Sequence, residues 1–164
     1  MVLGAYVSGR GFRHIVPESS AWPKPPASRL TLQGRKDFSQ HYLTSAALAA
    51  FGGGAVADAI GLFKEVDDAD GGSGFSFTDL AADRAGTRLG ERAVRSDSEA
   101  RRVQEALSIV RAEADILPPI RDLPEGLSES EFKRRFGGVD GPAYRRVTQD
   151  IERRLDGLAL YRAS

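Results

Sequence analysis

The sequence predicts an all-α fold: a small orthogonal bundle of five to six helices behind an irregular, Pro-rich N-terminal arm. Three observations predict it. Apolar residues recur at helical spacing in one segment after another. Ser-x-x-Asp and Ser-x-x-Glu signatures stand just before several of those segments. No strand-like alternation persists, and no internal repeat is visible.

Residues 1–34 form the arm, and residues 35–164 a single helical domain. Pro17, Pro23, Pro25 and Pro26 break any helix in the arm. Trp22 lies among them as an expected anchor onto the domain. His14 is a lone histidine in the irregular arm, and no special role is expected of it.

The first helix is expected from about Lys36 to Phe51, where Phe38, Tyr42, Leu43, Ala46, Ala47 and Ala50 share helical spacing. Gly52-Gly53-Gly54 ends it. The second spans about Ala55 to Ala69, with Val56, Ala59, Ile60, Phe63 and Val66 as its expected apolar side. Gly71-Gly72 stops it. The third follows Ser76, capped through Asp79, and runs to about Val94. A fourth follows Ser96 and Glu99, with a stripe of Val103, Ala106, Leu107 and Val110. Pro118, Pro119 and Pro124 mark a stiff connector over 115–127. Ser128 and Glu131 cap a short helix carrying Phe132 and Phe136. Asp140-Gly141-Pro142 opens the last helix, whose buried stripe is Tyr144, Val147, Ile151 and Leu155.

Composition narrows the function classes. The chain has 164 residues, 41% of them hydrophobic and 28% charged, enough to bury a core. Its 23 basic and 23 acidic residues give zero net charge, so no global field draws in nucleic acid. The basic pairs Arg145-Arg146 and Arg153-Arg154 are interleaved with Asp150, Glu152 and Asp156, as on a solvated helix face. No cysteine is present, which excludes disulfides and thiolate chemistry. No apolar run reaches the roughly 18 residues of a membrane span. The start Met1-Val2-Leu3-Gly4-Ala5-Tyr6 carries no signal-peptide pattern, which fits a cytosolic protein or one whose leader has been removed.

The chemistry-bearing residues concentrate in 36–92. Asp37, His41, Thr44 and Ser45 share a face of the first helix. Asp58, Gly61, Glu65 and Asp68 share one on the second, and Asp79, Asp83, Gly86 and Gly90 one on the third. Glycines thin these faces, so they are suited to close helix approach. Carboxylates there are expected to point inward and to need partners, with His41, Lys64, Arg84 and Arg88 the candidates. His41, Glu65 and Asp83 are the candidate catalytic set, fit for acid–base work or a divalent metal. A hydrogen-bond network that merely fixes helix register is the more ordinary reading. Residues 68–79 also scan as a degenerate twelve-residue calcium loop, with Asp68, Asp70 and Asp79 as metal ligands and Ser76 at the ninth position. Gly72 replaces the fifth-position acid, and Ser73 the sharp-turn glycine. No cofactor is expected, and the chain is expected to fold without metal.

The order His41-Tyr42, Gly61-Leu62-Phe63-Lys64-Glu65 and Gly74-Phe75-Ser76-Phe77-Thr78-Asp79-Leu80-Ala81-Ala82-Asp83, then Gly86, resembles a bacterial pattern. It is similar to the uncharacterised YfiM-like predicted lipoproteins and, more distantly, to VanZ-like membrane proteins. The resemblance implies a periplasmic or cell-envelope setting, with the cytoplasm as the alternative. It also implies a helical unit whose functional positions fall at His41, Glu65, Asp79 and Asp83. Two functional classes follow. One is a non-catalytic envelope scaffold or binding protein with a protein partner. The other is an envelope hydrolase using His41, Glu65 and Asp83.

Overall fold

The structure is a computed structural model, and it describes residues 17–21, 30–69 and 73–162. Among these it is an all-α helical bundle with no β-strand. Seven α-helices run in order: α1 Lys36–Gly52, α2 Gly54–Ala69, α3 Phe77–Arg95, α4 Asp97–Ser108, α5 Glu129–Phe136, α6 Pro142–Asp156 and α7 Ala159–Arg162. The four-residue α7 is the element beyond the five to six expected. Trp22 and His14 lie outside the described residues.

Local chemistry starts the helices where the sequence places them. Ser76, Ser96 and Ser128 each accept a bond from the backbone N–H three residues on, satisfying an orphan donor of the first turn. Glu131 returns the bond to Ser128, completing a capping box. Pro142 sits in the first turn of α6, where its missing N–H costs nothing. Gly137 ends α5 at φ 74°, a backbone region that favours glycine.

Helix α3 is the hub. It lies so close to α1 that a Cβ on Gly86 would collide with the Tyr42 carbonyl, and one on Gly90 with that of Ala46. On its other side Phe75, Phe77, Phe132, Phe136 and Tyr144 form an aromatic core, with Phe75 stacked on Phe132 at 4.0 Å between centroids. From α6, Tyr144, Ile151 and Leu155 are buried in this core and Val147 packs against it. The Pro-rich connector is part of the core as well. Leu117, Ile120, Leu123 and Leu127 are buried, and Leu127 exchanges backbone hydrogen bonds with Phe75 at 2.7 and 3.0 Å.

Two expectations are corrected. The side of α2 bearing Val56, Ala59, Ile60, Phe63 and Val66 faces outward, and the large side chains range from 43% exposed at Val66 to 72% at Phe63. Its buried side is Gly54, Ala57, Gly61, Glu65 and Ala69. Opposite Asp83 that side has room only for glycine: a Cβ on Gly61 would come 2.9 Å from Asp83 Oδ2. Arg84 and Arg88 do not serve the carboxylates of the central helices either. Arg84 pairs with Glu152 at 2.6 Å, and Arg88 with Glu152 and Asp156, which ties α3 to α6.

Candidate functional site

Three consecutive helices bring the candidate residues together. His41 comes from α1, Glu65 from the inner side of α2, and Asp79 and Asp83 from adjacent turns of α3. His41, Glu65 and Asp83 each offer a donor atom within 4.8 Å of the others. The close α1–α3 approach at Gly86 and Gly90 makes this possible, since it brings α1 side chains within reach of α3 carboxylates.

His41 Nδ1 lies 3.1 Å from both oxygens of Asp83. Ser45, one turn along α1, donates to Asp83 Oδ1 at 2.6 Å. His41 Nε2 lies 3.7 Å from Asp79 Oδ2. Glu65 has a side chain only 1% exposed. One of its oxygens accepts from the Ser76 backbone N–H at 3.0 Å, and the other faces the Lys64 ammonium at 3.4 Å. The hydroxyl of Ser76 in turn accepts from the Asp79 N–H and caps α3, so the loop between α2 and α3 ties Glu65 to the helix carrying both aspartates.

The electrostatics follow from burial. Burial pushes the Glu65 carboxyl up to about 7, against the pull of the Lys64 charge. Burial also raises Asp79, opposed by His41. For His41, burial works to lower the pKa, but the hydrogen bond and charge of Asp83, with the charge of Asp79, outweigh it and raise it. Such a cluster can exchange protons near neutral pH or accept a cation.

The cluster is walled in but not sealed. The His41 side chain is 11% exposed and Asp83 6%. Both line an open cleft of about 200 Å³ with Gln40, Thr44, Leu48, Ile60, Gly61 and Lys64. On the other flank, His41 and Asp79 line a second cleft of about 510 Å³ that includes Arg35, Asp37 and Glu125.

Sequence reasoning brings His41, Glu65 and Asp83 to one place, as does the structure. Asp37 lines the second cleft and is paired with Arg35 at 2.5 Å. Of the calcium-loop residues, Asp70 lies outside the described residues. Asp68 pairs with Lys64 at 2.6 Å, and Asp79 faces His41. The sequence reading misses Glu125, which receives Thr78 at 3.0 Å and Arg35 at 2.5 Å. Glu125 lies 47 residues from Thr78 in sequence, and no local pattern signals that contact. Comparison with known families, curated proteins and solved structures finds no match to this chain.

Proposed function

We propose that the chain is a non-catalytic scaffold that works by association, and that its binding surface is the outer face of α2. The observation that carries this reading is the inverted amphipathy of that helix: Val56, Ile60, Phe63 and Val66 point outward while a carboxylate points in. Phe51, near the end of α1, is exposed as well. Contiguous apolar patches of this kind mark interaction sites.

The occupant we favour is a second copy. Antiparallel pairing of two α2 helices about residue 61 sets Val56 against Val66, and the small Ala59 against the large Phe63. It also sets Asp67 beside the amide end of the partner helix, where a negative charge is favoured. Four large apolar side chains on one helix face are far fewer than the roughly 20–30 residues a standard interface takes from each side, so a reversible dimer follows. The cell-envelope setting is part of the proposal on the motif resemblance alone. No helix of the described residues is long and apolar enough to cross a membrane. The test is light scattering across a concentration series. Wild type should move from monomer to dimer, and Phe63→Glu should stay monomeric with an unchanged helical spectrum. A wild type that stays monomeric throughout, or a Phe63→Glu protein that still dimerises, overturns the reading.

A second reading has one observation in its favour, the Asp83–His41 pair on the wall of an open cleft. It is an envelope hydrolase with His41 as base and Glu65 as acid. Hydrolysis of an ester or amide panel, lost in His41→Ala, would bring it forward.

A further inference from the structure

We propose that His41, Glu65 and Asp83 bind one divalent first-row transition ion, with zinc as the working probe. One imidazole nitrogen and two carboxylates form a borderline donor set of the kind such ions prefer over calcium or magnesium. The donors come from three successive helices and already lie within 4.8 Å of one another. Tetrahedral bonds of about 2.0–2.1 Å put ligand atoms roughly 3.3 Å apart, so side-chain adjustment of about an ångström closes the site.

Three further observations point the same way. The site has more carboxylate than counter-charge. Among the described residues, Glu65, Asp79 and Asp83 face His41 and a single ammonium, Lys64, which is half exposed and shared with Asp68 at 2.6 Å. Asp79 Oδ1 is shut off from solvent and accepts no hydrogen bond from the described residues, so an acceptor stands open beside the three donors. Gly61 leaves bare backbone against Asp83 on the cleft that reaches His41, which gives an ion a way in. The opposing effect is the Lys64 ammonium 3.4 Å from Glu65, and swinging fully onto Asp68 removes it.

The experiment uses the full, tag-free chain stripped with chelator, then titrated with zinc against a chromophoric competitor chelator. The expected result is one equivalent bound, a rise of several degrees in melting temperature, and little response to calcium or magnesium. His41→Ala and the near-isosteric Glu65→Gln should each weaken binding at least tenfold, on the scale seen when even a supporting residue of a metal site is lost. His14→Ala, which removes the other histidine, should bind as wild type does. If a ligand variant unfolds, as a lost helical spectrum would show, Glu65→Gln and Asp83→Asn decide, since both keep side-chain shape. No saturable stoichiometry, or zinc binding equal in His41→Ala and wild type, overturns the proposal. A calcium response abolished by Asp68→Asn also overturns it and moves the ion to the loop that follows α2.

Discussion

His41 Nδ1 sits 3.1 Å from each carboxylate oxygen of Asp83, so that nitrogen is held as the donor and Nε2 is left facing Asp79. The pair joins α1 to α3 beside Gly86, where an added Cβ would meet the Tyr42 carbonyl. One contact therefore sets both the ring orientation and the helix register.

Removing the charge of Asp83 should reverse the protonation of His41. Burial alone lowers the imidazole pKa, and the hydrogen bond and charge of Asp83 are the main effects that raise it. Asp83→Asn is expected to bring the His41 titration below its wild-type midpoint, as read by NMR of the ring protons. The Ser45 hydroxyl loses its charged acceptor in the same variant. Asp83→Ala, which leaves both donors unanswered, should cost roughly 1–3 kcal/mol in denaturant unfolding. A His41 midpoint unmoved by Asp83→Asn would show that the pair does not control this ring.

In chelator, the protein should lose stability as pH rises from about 5 to 8. Glu65 is raised from 4.5 to about 7, so between those values the folded chain holds a proton that the unfolded chain has released. Stability then falls with rising pH. His41, raised above 6.5, adds a loss in the same direction as pH climbs through its folded value. Asp37, lowered by its Arg35 bond, acts oppositely, but its contribution is lost only below about its ordinary 3.8. Thermal melts should therefore peak near pH 5, and Glu65→Gln should flatten the alkaline side. A flat profile in wild type would remove the case for a protonated buried Glu65.

Most helix positions were legible because capping serines and periodic apolar residues are local signals. Ser76, Ser96 and Ser128 start α3, α4 and α5 where the S-x-x-D/E spacing puts them. The His41, Glu65, Asp83 set was legible because polar residues shared faces with glycines. The sidedness of α2 was not. Periodicity locates a stripe of Val, Ile and Phe but does not say which side the neighbours occupy. What inverted it is steric: Gly61 must meet Asp83, and no sequence pattern within α2 carries that information. The connector over 115–127 misled for a related reason. Its prolines read as a spacer, yet Leu117, Ile120 and Leu123 supply core, and their partners are distant in sequence.

The aromatic core is expected to dominate stability. Phe132 is nearly fully buried and stacks on Phe75 at 4.0 Å, with Phe77, Phe136 and Tyr144 within about 6 Å. Phe132→Ala should cost roughly 3–5 kcal/mol in urea unfolding, a cavity cost that these rigid rings cannot relieve by collapse. Val56→Ala, on the exposed face of α2, should change monomer stability by less than about 1 kcal/mol. Equal costs at the two sites would contradict the assignment of inside and outside.

Gly86→Ala sets helix propensity against packing. Propensity favours alanine over glycine inside a helix by about 1 kcal/mol, so Gly86 in the middle of α3 looks improvable. The fold says otherwise. A methyl there meets the Tyr42 carbonyl, backbone that cannot swing aside like a side-chain tip. Overpacking a close-packed site costs about 1–3 kcal/mol, occasionally more, which exceeds the propensity gain. The expected outcome is net destabilisation, together with a shift of the His41 ring signals as α1 and α3 are forced apart. Gly52→Ala is the control, since its new methyl meets the Val56 side chain only at van der Waals distance, 3.4 Å. It should be neutral or slightly stabilising. If Gly86→Ala instead raises the melting temperature, α1 and α3 are not in backbone contact, and the geometry that brings His41 to Asp83 fails with them.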